Sequence, residues 1–219
     1  MKVILFGATG MVGQGVLREC LADPEVFQVL VIGRSSIGVS HPKLREIIHL
    51  NFEDFSPLEK ELSGYDACFF CLGVSSVGMS EAAYRHITYD FTLAAAKTLS
   101  QLNPSMTFIY ISGSGTDSTE KGRVMWARVK GETENALLRL PFKAVYLFRP
   151  GFIQPLDGIA TKQKIYQLFY AILGPLYPLW KLLFPKYVTT TRQLGKAMIR
   201  IARQGAPKKV IESWDINQS

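Results

Sequence analysis

Lys2-Val3-Ile4-Leu5-Phe6 runs straight into Gly7-Ala8-Thr9-Gly10-Met11-Val12-Gly13. Four consecutive apolar residues after Lys2 read as a strand buried on both faces. Residues 11–21 then carry the periodicity of a helix. The glycines therefore sit where a strand hands over to a helix. In that place they permit a tight turn and let a diphosphate approach the backbone closely. The helix N-terminus adds unpaired N–H groups and the positive end of its dipole. The spacing is G-x-x-G-x-x-G, a variant of the dinucleotide fingerprint, and the flanking strand and helix give it its force. The reading places Gly7, Thr9, Gly10, Met11, Val12 and Gly13 around a dinucleotide.

Working outward, apolar strand-like runs recur at 28–32, 45–50, 66–71, 106–111 and 143–148. Helical patterns occupy 81–102, closed by Pro104, and 123–140, closed by Pro141. Continuous apolar strands alternating with helices predict an α/β chain: a doubly wound parallel sheet of the dinucleotide-binding (Rossmann) kind. Thr189-Thr190-Thr191 opens a further helix, with Thr190 or Thr191 as cap, and residues 210–212 read as a short strand. Residues 214–216, Trp-Asp-Ile, are expected to pack against the sheet. The whole of 1–219 is expected to be one domain, with a small helical substrate lobe at 152–190.

Composition narrows the functional classes. With 47% hydrophobic and 20% charged residues the chain can bury a core, which excludes disorder. Three cysteines without framework spacing point to a reducing compartment, and the apolar start is too short for a secretory signal; a cytoplasmic protein, with peripheral membrane contact as an option, is expected. The net charge of +7 is uneven. Residues 1–159 hold 15 Lys/Arg and 16 Asp/Glu, whereas 160–219 hold 10 Lys/Arg against Glu212 and Asp215. Such a basic end suits anionic partners or a plain solvated face. No nucleic-acid-binding motif accompanies it, so no nucleic acid is expected. His41, His49 and His86 form no metal-ligand spacing, and no metal is expected.

Cofactor choice turns on the end of the second strand, Val31-Ile32-Gly33-Arg34-Ser35-Ser36. An acid there would hold a ribose 2′-hydroxyl, whereas an arginine accommodates a 2′-phosphate. Arg34, with Ser35, favours NADP(H) over NAD(H), and no acid stands in this stretch. With these motifs the chain resembles the short-chain dehydrogenase/reductase superfamily, above all its extended and atypical members near the epimerase-like proteins and the TIP30-like oxidoreductases. The resemblance implies adenine contacts at Asn51 and Phe52. It implies a cofactor-side turn at Cys71, Leu72 and Gly73. It also implies that the Arg149-Pro150-Gly151-Phe152-Ile153 turn approaches the nicotinamide, with Pro150, Gly151 and Ile153 in contact.

The family's catalytic pattern is Ser…Tyr-x-x-x-Lys. Here the matching stretch is Trp126-Ala127-Arg128-Val129-Lys130. Residues four apart share a helix face, so Trp126 and Lys130 point the same way. The resemblance implies that Lys130 holds the nicotinamide ribose. An indole N–H donates a hydrogen bond and does not titrate near neutral pH, so the usual acid/base is missing. The family serine falls on Ser114 or Ser112 within Ile111-Ser112-Gly113-Ser114, with Ser114 favoured and Ser112 beside the cofactor. Asp117, Tyr84 and Tyr89 are candidate substitutes, though no spacing compels any of them. Cys68-Phe69-Phe70-Cys71 is a C-x-x-C on a strand; positions three apart face opposite sides, so buried free thiols are expected.

After Gly151 the chain changes character. Residues 165–185 read IYQLFYAILGPLYPLWKLLFP, broken by Gly174-Pro175, Pro178 and Pro185. A span needs about 20 uninterrupted helical residues, so this run is not expected to cross a membrane. Three readings stay open for 165–186: a lobe shaping an apolar substrate pocket, an interfacial membrane contact, or a patch closed by another protein. Two functional classes follow. One is an NADP(H)-dependent oxidoreductase or epimerase acting on an apolar small molecule. The other is a non-catalytic NADP(H)-dependent redox sensor or assembly factor, which the Trp126 replacement favours.

Overall fold

In the computed structural model, which describes residues 1–158 and 187–218, β1 (Lys2–Phe6) lies inside a parallel sheet, between β2 (Gln28–Gly33) and β4 (Ala67–Phe70). Its alternate residues divide the core. Val3 and Leu5 enter one buried cluster, with Val16, Phe69 and Leu194. Ile4 and Phe6 enter the opposite cluster, with Phe52, Phe70 and Leu99. Each fully buried side chain of this size contributes about 1.5–3 kcal/mol, so both faces hold the strand in place.

The remaining strands are β2 (Gln28–Gly33), β3 (Leu44–Ile48), β4 (Ala67–Phe70), β5 (Thr107–Ile111), β6 (Ala144–Arg149), β7 (Phe152–Gln154), β8 (Val188–Thr190) and β9 (Val210–Glu212). Among the described residues, β1 and six of these form one sheet in the order β3-β2-β1-β4-β5-β6-β9, with every neighbouring pair parallel. The order reverses between β1 and β4, which creates the crevice where ligands bind in such sheets. The expected doubly wound α/β architecture is the one observed.

Helices are α1 (Met11–Ala22), α2 (Glu59–Leu62), α3 (Glu81–Arg85), α4 (Phe91–Leu102), α5 (Met125–Leu137), α6 (Thr191–Gln204) and α7 (Ser213–Asn217). The helix expected over 81–102 is interrupted by one π turn at His86–Asp90. The hydrophobic spacing of 81–102 does not single out this turn. The helix expected over 123–140 occupies only Met125–Leu137. Thr190 caps α6, its Oγ1 accepting from the Gln193 amide. Ile216 is buried and Trp214 is 46% exposed, so the isoleucine makes the packing expected of that stretch.

Of the lobe expected at 152–190, its two edges are short strands, β7 and β8, paired in parallel. Residues 159–186, with the apolar run 165–185, lie outside the described residues. No helix among the described residues is long and apolar enough to cross a membrane. Cys68 and Cys71 are free and face opposite clusters, as the strand geometry requires. Burial pushes both thiols up, out of the reactive range.

Candidate functional site

The glycine loop is built by contacts that no side chain could share. Gly7 has φ +79°, and a Cβ there would lie 2.6 Å from the Cys71 carbonyl carbon. A Cβ on Gly13 would lie 2.1 Å from the Gly7 carbonyl oxygen. The Gly10 amide donates to that same oxygen at 3.0 Å, closing the turn. Gly10 is the N-cap of α1; no side chain caps the helix and no acid occupies its first turn. The first-turn amides and the dipole are thus left to an anion.

Beyond the loop a cleft of about 100 Å³ brings together Gly7, Thr9, Gly33, Arg34, Ser35, Phe52 and Leu72. Arg34 is exposed and its guanidinium lies 6.0 Å above the Phe52 ring centre. Phe52 itself is 2% exposed and meets Phe6 and Phe55 edge to face. It therefore forms the floor beneath Arg34. Asn51 is exposed, with its Oδ1 accepting from the Glu53 amide at 3.1 Å.

The fold also delivers a residue that the sequence of the β2 end did not suggest. Glu46, on β3, accepts from Ser36 Oγ and from the Ile37 amide, both at 2.7 Å. A carboxylate thus stands behind the Arg34–Ser36 turn after all, ten residues away in sequence and brought close by strand pairing. The register Val31↔Glu46 is the only available signal, and it requires the sheet.

The opposite half of the site lies where β5 and β6 end. The Ser112 amide donates to Phe148 O and the Ser114 amide to Pro150 O, both at 2.9 Å, so the two turns run side by side. Ser112 is buried, and its Oγ donates to Glu134 Oε1 at 2.5 Å. Ser114 is exposed. Gly115 lies against the Trp126 ring, with 3.4 Å between an added Cβ and Cζ/Cη-edge carbon Cη2. Lys130 Nζ donates to the Ser112 carbonyl oxygen. Burial of the ammonium lowers its pKa to about 8, against the opposing pull of Glu134. Gly151 donates to Ser213 Oγ at 2.8 Å, and Ile153 is buried. Gly73 has open space around its Cα.

Glu134 is the residue that the tyrosine-lysine pattern missed. It follows Lys130 by four, so Trp126, Lys130 and Glu134 form one stripe on α5. It is 1% exposed and accepts from Ser112 and from both Nε and Nη2 of Arg149. Arg149, drawn up in pKa chiefly by its hydrogen bonds to Glu134, is thus committed to the ion pair. This buried pair ties α5 to the ends of β5 and β6.

The substitutes for tyrosine are occupied elsewhere. Asp117 accepts from Thr119 N, Thr119 Oγ1 and Gly122 N, and these bonds hold its carboxyl low. Tyr84 is buried, and burial pushes its phenol up. Tyr89 packs beneath the Arg85 guanidinium at 4.1 Å. Of the histidines, His41 Nδ1 accepts from the Lys43 amide, His49 Nε2 bonds Asp54 O, and His86 pairs with Glu53 and Asp90. Among the described residues no group of three or more His, Cys, Asp or Glu could hold a metal ion.

No family model matches the chain. It is similar to Protein HTATIP2 of Rattus norvegicus, 26% identical over 154 residues, covering 69% of this chain and 62% of that relative. The match thus spans less than two thirds of HTATIP2. It is 26% identical over 225 aligned positions to Protein fmp52-2, mitochondrial, of Aspergillus terreus, covering 98% of this chain and 93% of the relative. Among solved structures, Gre2 of Candida albicans in complex with NADPH superposes with a TM-score of 0.72 at 16% identity, covering 97% of this chain and 77% of that one. DesIV, a dTDP-glucose 4,6-dehydratase from Streptomyces venezuelae with NAD bound, gives 0.68 at 17% identity, covering 97% and 75%. The chain is thus similar in sequence to HTATIP2 and the FMP52 proteins, and it shares its fold with solved structures that hold NAD or NADPH.

Proposed function

We propose that the protein binds NADP(H) and acts as an oxidoreductase or epimerase on an apolar small molecule, with Trp126 in the place of the family tyrosine. The observation that carries this reading is the glycine cradle. A Cβ on Gly7 or Gly13 would collide with the backbone that forms it, and the helix behind it has no side-chain cap. Gly7, Thr9, Gly10, Met11, Val12 and Gly13 would hold the diphosphate. Arg34 and Ser35 would meet the 2′-phosphate, with Asn51 and Phe52 beside the adenine. Cys71, Leu72, Gly73, Ser112, Pro150, Gly151 and Ile153 would frame the nicotinamide, and Lys130 would reach its ribose.

When bound, the nicotinamide supplies or accepts a hydride. The chain's own residues do the rest. Ser112 has its hydroxyl committed to Glu134, so exposed Ser114 is the serine free to orient a substrate oxygen. The Glu134–Arg149 pair holds the two turns together. Trp126 covers Gly115 and adds an apolar wall beside Ser114.

Trp126 also favours a second reading, a nucleotide-dependent sensor or assembly factor without chemistry. A panel of apolar carbonyl and alcohol substrates, followed by NADPH absorbance in wild type and Trp126→Tyr, separates the two. Turnover by the wild type supports the enzyme; binding of NADPH with turnover only in the variant supports the sensor. For the compartment, a cytoplasmic location is checked by fractionation against the mitochondrial one in the names of the fungal relatives.

A further inference from the structure

We propose that a groove along the side of α1 binds a small amphipathic anion, an apolar chain or ring system that ends in a carboxylate. This site is independent of the oxidoreductase reading and lies outside the nucleotide cleft.

The groove follows from the way β2 is joined to β3. Right-handed crossovers that advance in one direction along a sheet put their helices on the same face. A helix between β2 and β3 would therefore lie beside α1. Parallel strands are usually joined by such a helix, over a dozen or more residues. Here the connection is residues 34–43, and it contains no helix. The uncovered side of α1 borders a cavity of about 600 Å³. Gln14, Leu17, Arg18 and Leu21 recur at helical spacing along that side. Ile37 and Val39 line it from the connection, and Val39 is 50% exposed. The groove begins at Thr9, which also borders the nucleotide cleft. It then runs away from the glycine loop, because Leu21 lies about 15 Å along the helix from Met11.

A cavity of this size with an apolar wall and a few polar groups has the make-up of a small-molecule site. The polar groups are chiefly donors. Arg18 meets Asp157 through Nη1, at 3.0 Å to Oδ2 and 3.5 Å to the carbonyl oxygen. No bond among the described residues engages its Nε or Nη2. Asp157 also accepts from Arg192 Nη2 at 2.9 Å, so two guanidiniums share one carboxylate and a positive charge is left over. His41 Nδ1 accepts from the Lys43 amide, so Nε2 carries the ring N–H, with no partner among the described residues. Neighbouring acids are turned elsewhere. Glu46 is spent on Ser36 and the Ile37 amide. Glu19 lies against α6, its Cγ 2.8 Å from where a Cβ on Gly195 would stand. An anionic end suits these donors, and an apolar body suits Leu17, Leu21, Ile37 and Val39.

The test uses the full chain and dodecanoate below its micellar concentration. Calorimetry should show saturable one-to-one binding that persists when NADPH is added. Dodecyltrimethylammonium, of opposite charge, should bind at least about tenfold more weakly. Arg18→Glu reverses the cation, and Val39→Glu puts a like charge on the exposed rim, where a substitution leaves the fold intact. Each should weaken dodecanoate about tenfold or more. A diazirine-bearing dodecanoate should label residues within 14–22 or 36–41, read by mass spectrometry. Absence of saturable heat, displacement by NADPH, unchanged affinity in both variants, equal binding of the cationic amphiphile or labelling confined to other residues each overturns the assignment. Recruitment to phosphatidylserine vesicles without binding of monomeric dodecanoate overturns it in favour of a membrane contact.

Discussion

Replacing Lys130 with methionine should change how stability depends on pH, and the size of the change follows from the site. The folded protein lowers the ammonium from 10.5 to about 8, because burial strips its hydration and Glu134 restores only part of the favourable field. The unfolded chain therefore binds more protons than the folded one between those values, and stability rises with pH through that window. Below pH 8 the wild type carries the full penalty of burying the charge, roughly 3 kcal/mol for 2.5 units. By pH 10 most of that penalty is gone. The wild type should gain on the order of 2–3 kcal/mol relative to Lys130→Met between pH 7 and pH 10. Other lysines and tyrosines titrate there too, but they do so in both proteins and cancel in the difference. The assay is urea unfolding of both proteins at the two pH values. Parallel curves, with the same difference at pH 7 and pH 10, would refute the claim that this amine is desolvated.

Other perturbations test the remaining parts. Glu134→Ala leaves Arg149 and Ser112 without their shared acceptor and should cost about 3–5 kcal/mol, read as a lower urea midpoint. Gly13→Val drives a side chain into the Gly7 carbonyl and should abolish nucleotide binding, as calorimetry would show. Arg34→Ala should lower the NADPH/NADH affinity ratio, and Glu46→Gln, which removes a negative charge behind the same turn, should raise it. An unchanged ratio in both would remove the 2′-phosphate role from this corner. Thr190→Ala should cost about 1 kcal/mol through loss of the α6 cap.

The glycine loop and the sheet were legible because their causes are local. The turn at Gly7–Gly13 is written within one strand-to-helix junction, and each central strand announces itself as an apolar run needing cover on both faces. What stayed hidden depends on distance. Glu46 reaches Ser36 only once β2 and β3 are paired. The packing of Phe52 against Phe6 and Phe91 joins residues far apart in sequence. The bond from the Ser112 hydroxyl to Glu134, which bears on the choice between Ser112 and Ser114, exists only once α5 is packed on the end of β5. Helix spacing could have found Glu134, four residues past Lys130; its partner Arg149, on another strand, could not have been paired with it. The β7–β8 pair escaped because three-residue strands carry no periodic signal.

Isothermal titration of NADPH and NADH into the intact chain is the most direct trial of the whole scheme. Saturable one-to-one heat, stronger for NADPH and lost in Gly13→Val, is the expected result. Silence with both nucleotides from a folded wild-type protein would contradict it, for the cradle at the head of α1 would then grip no diphosphate.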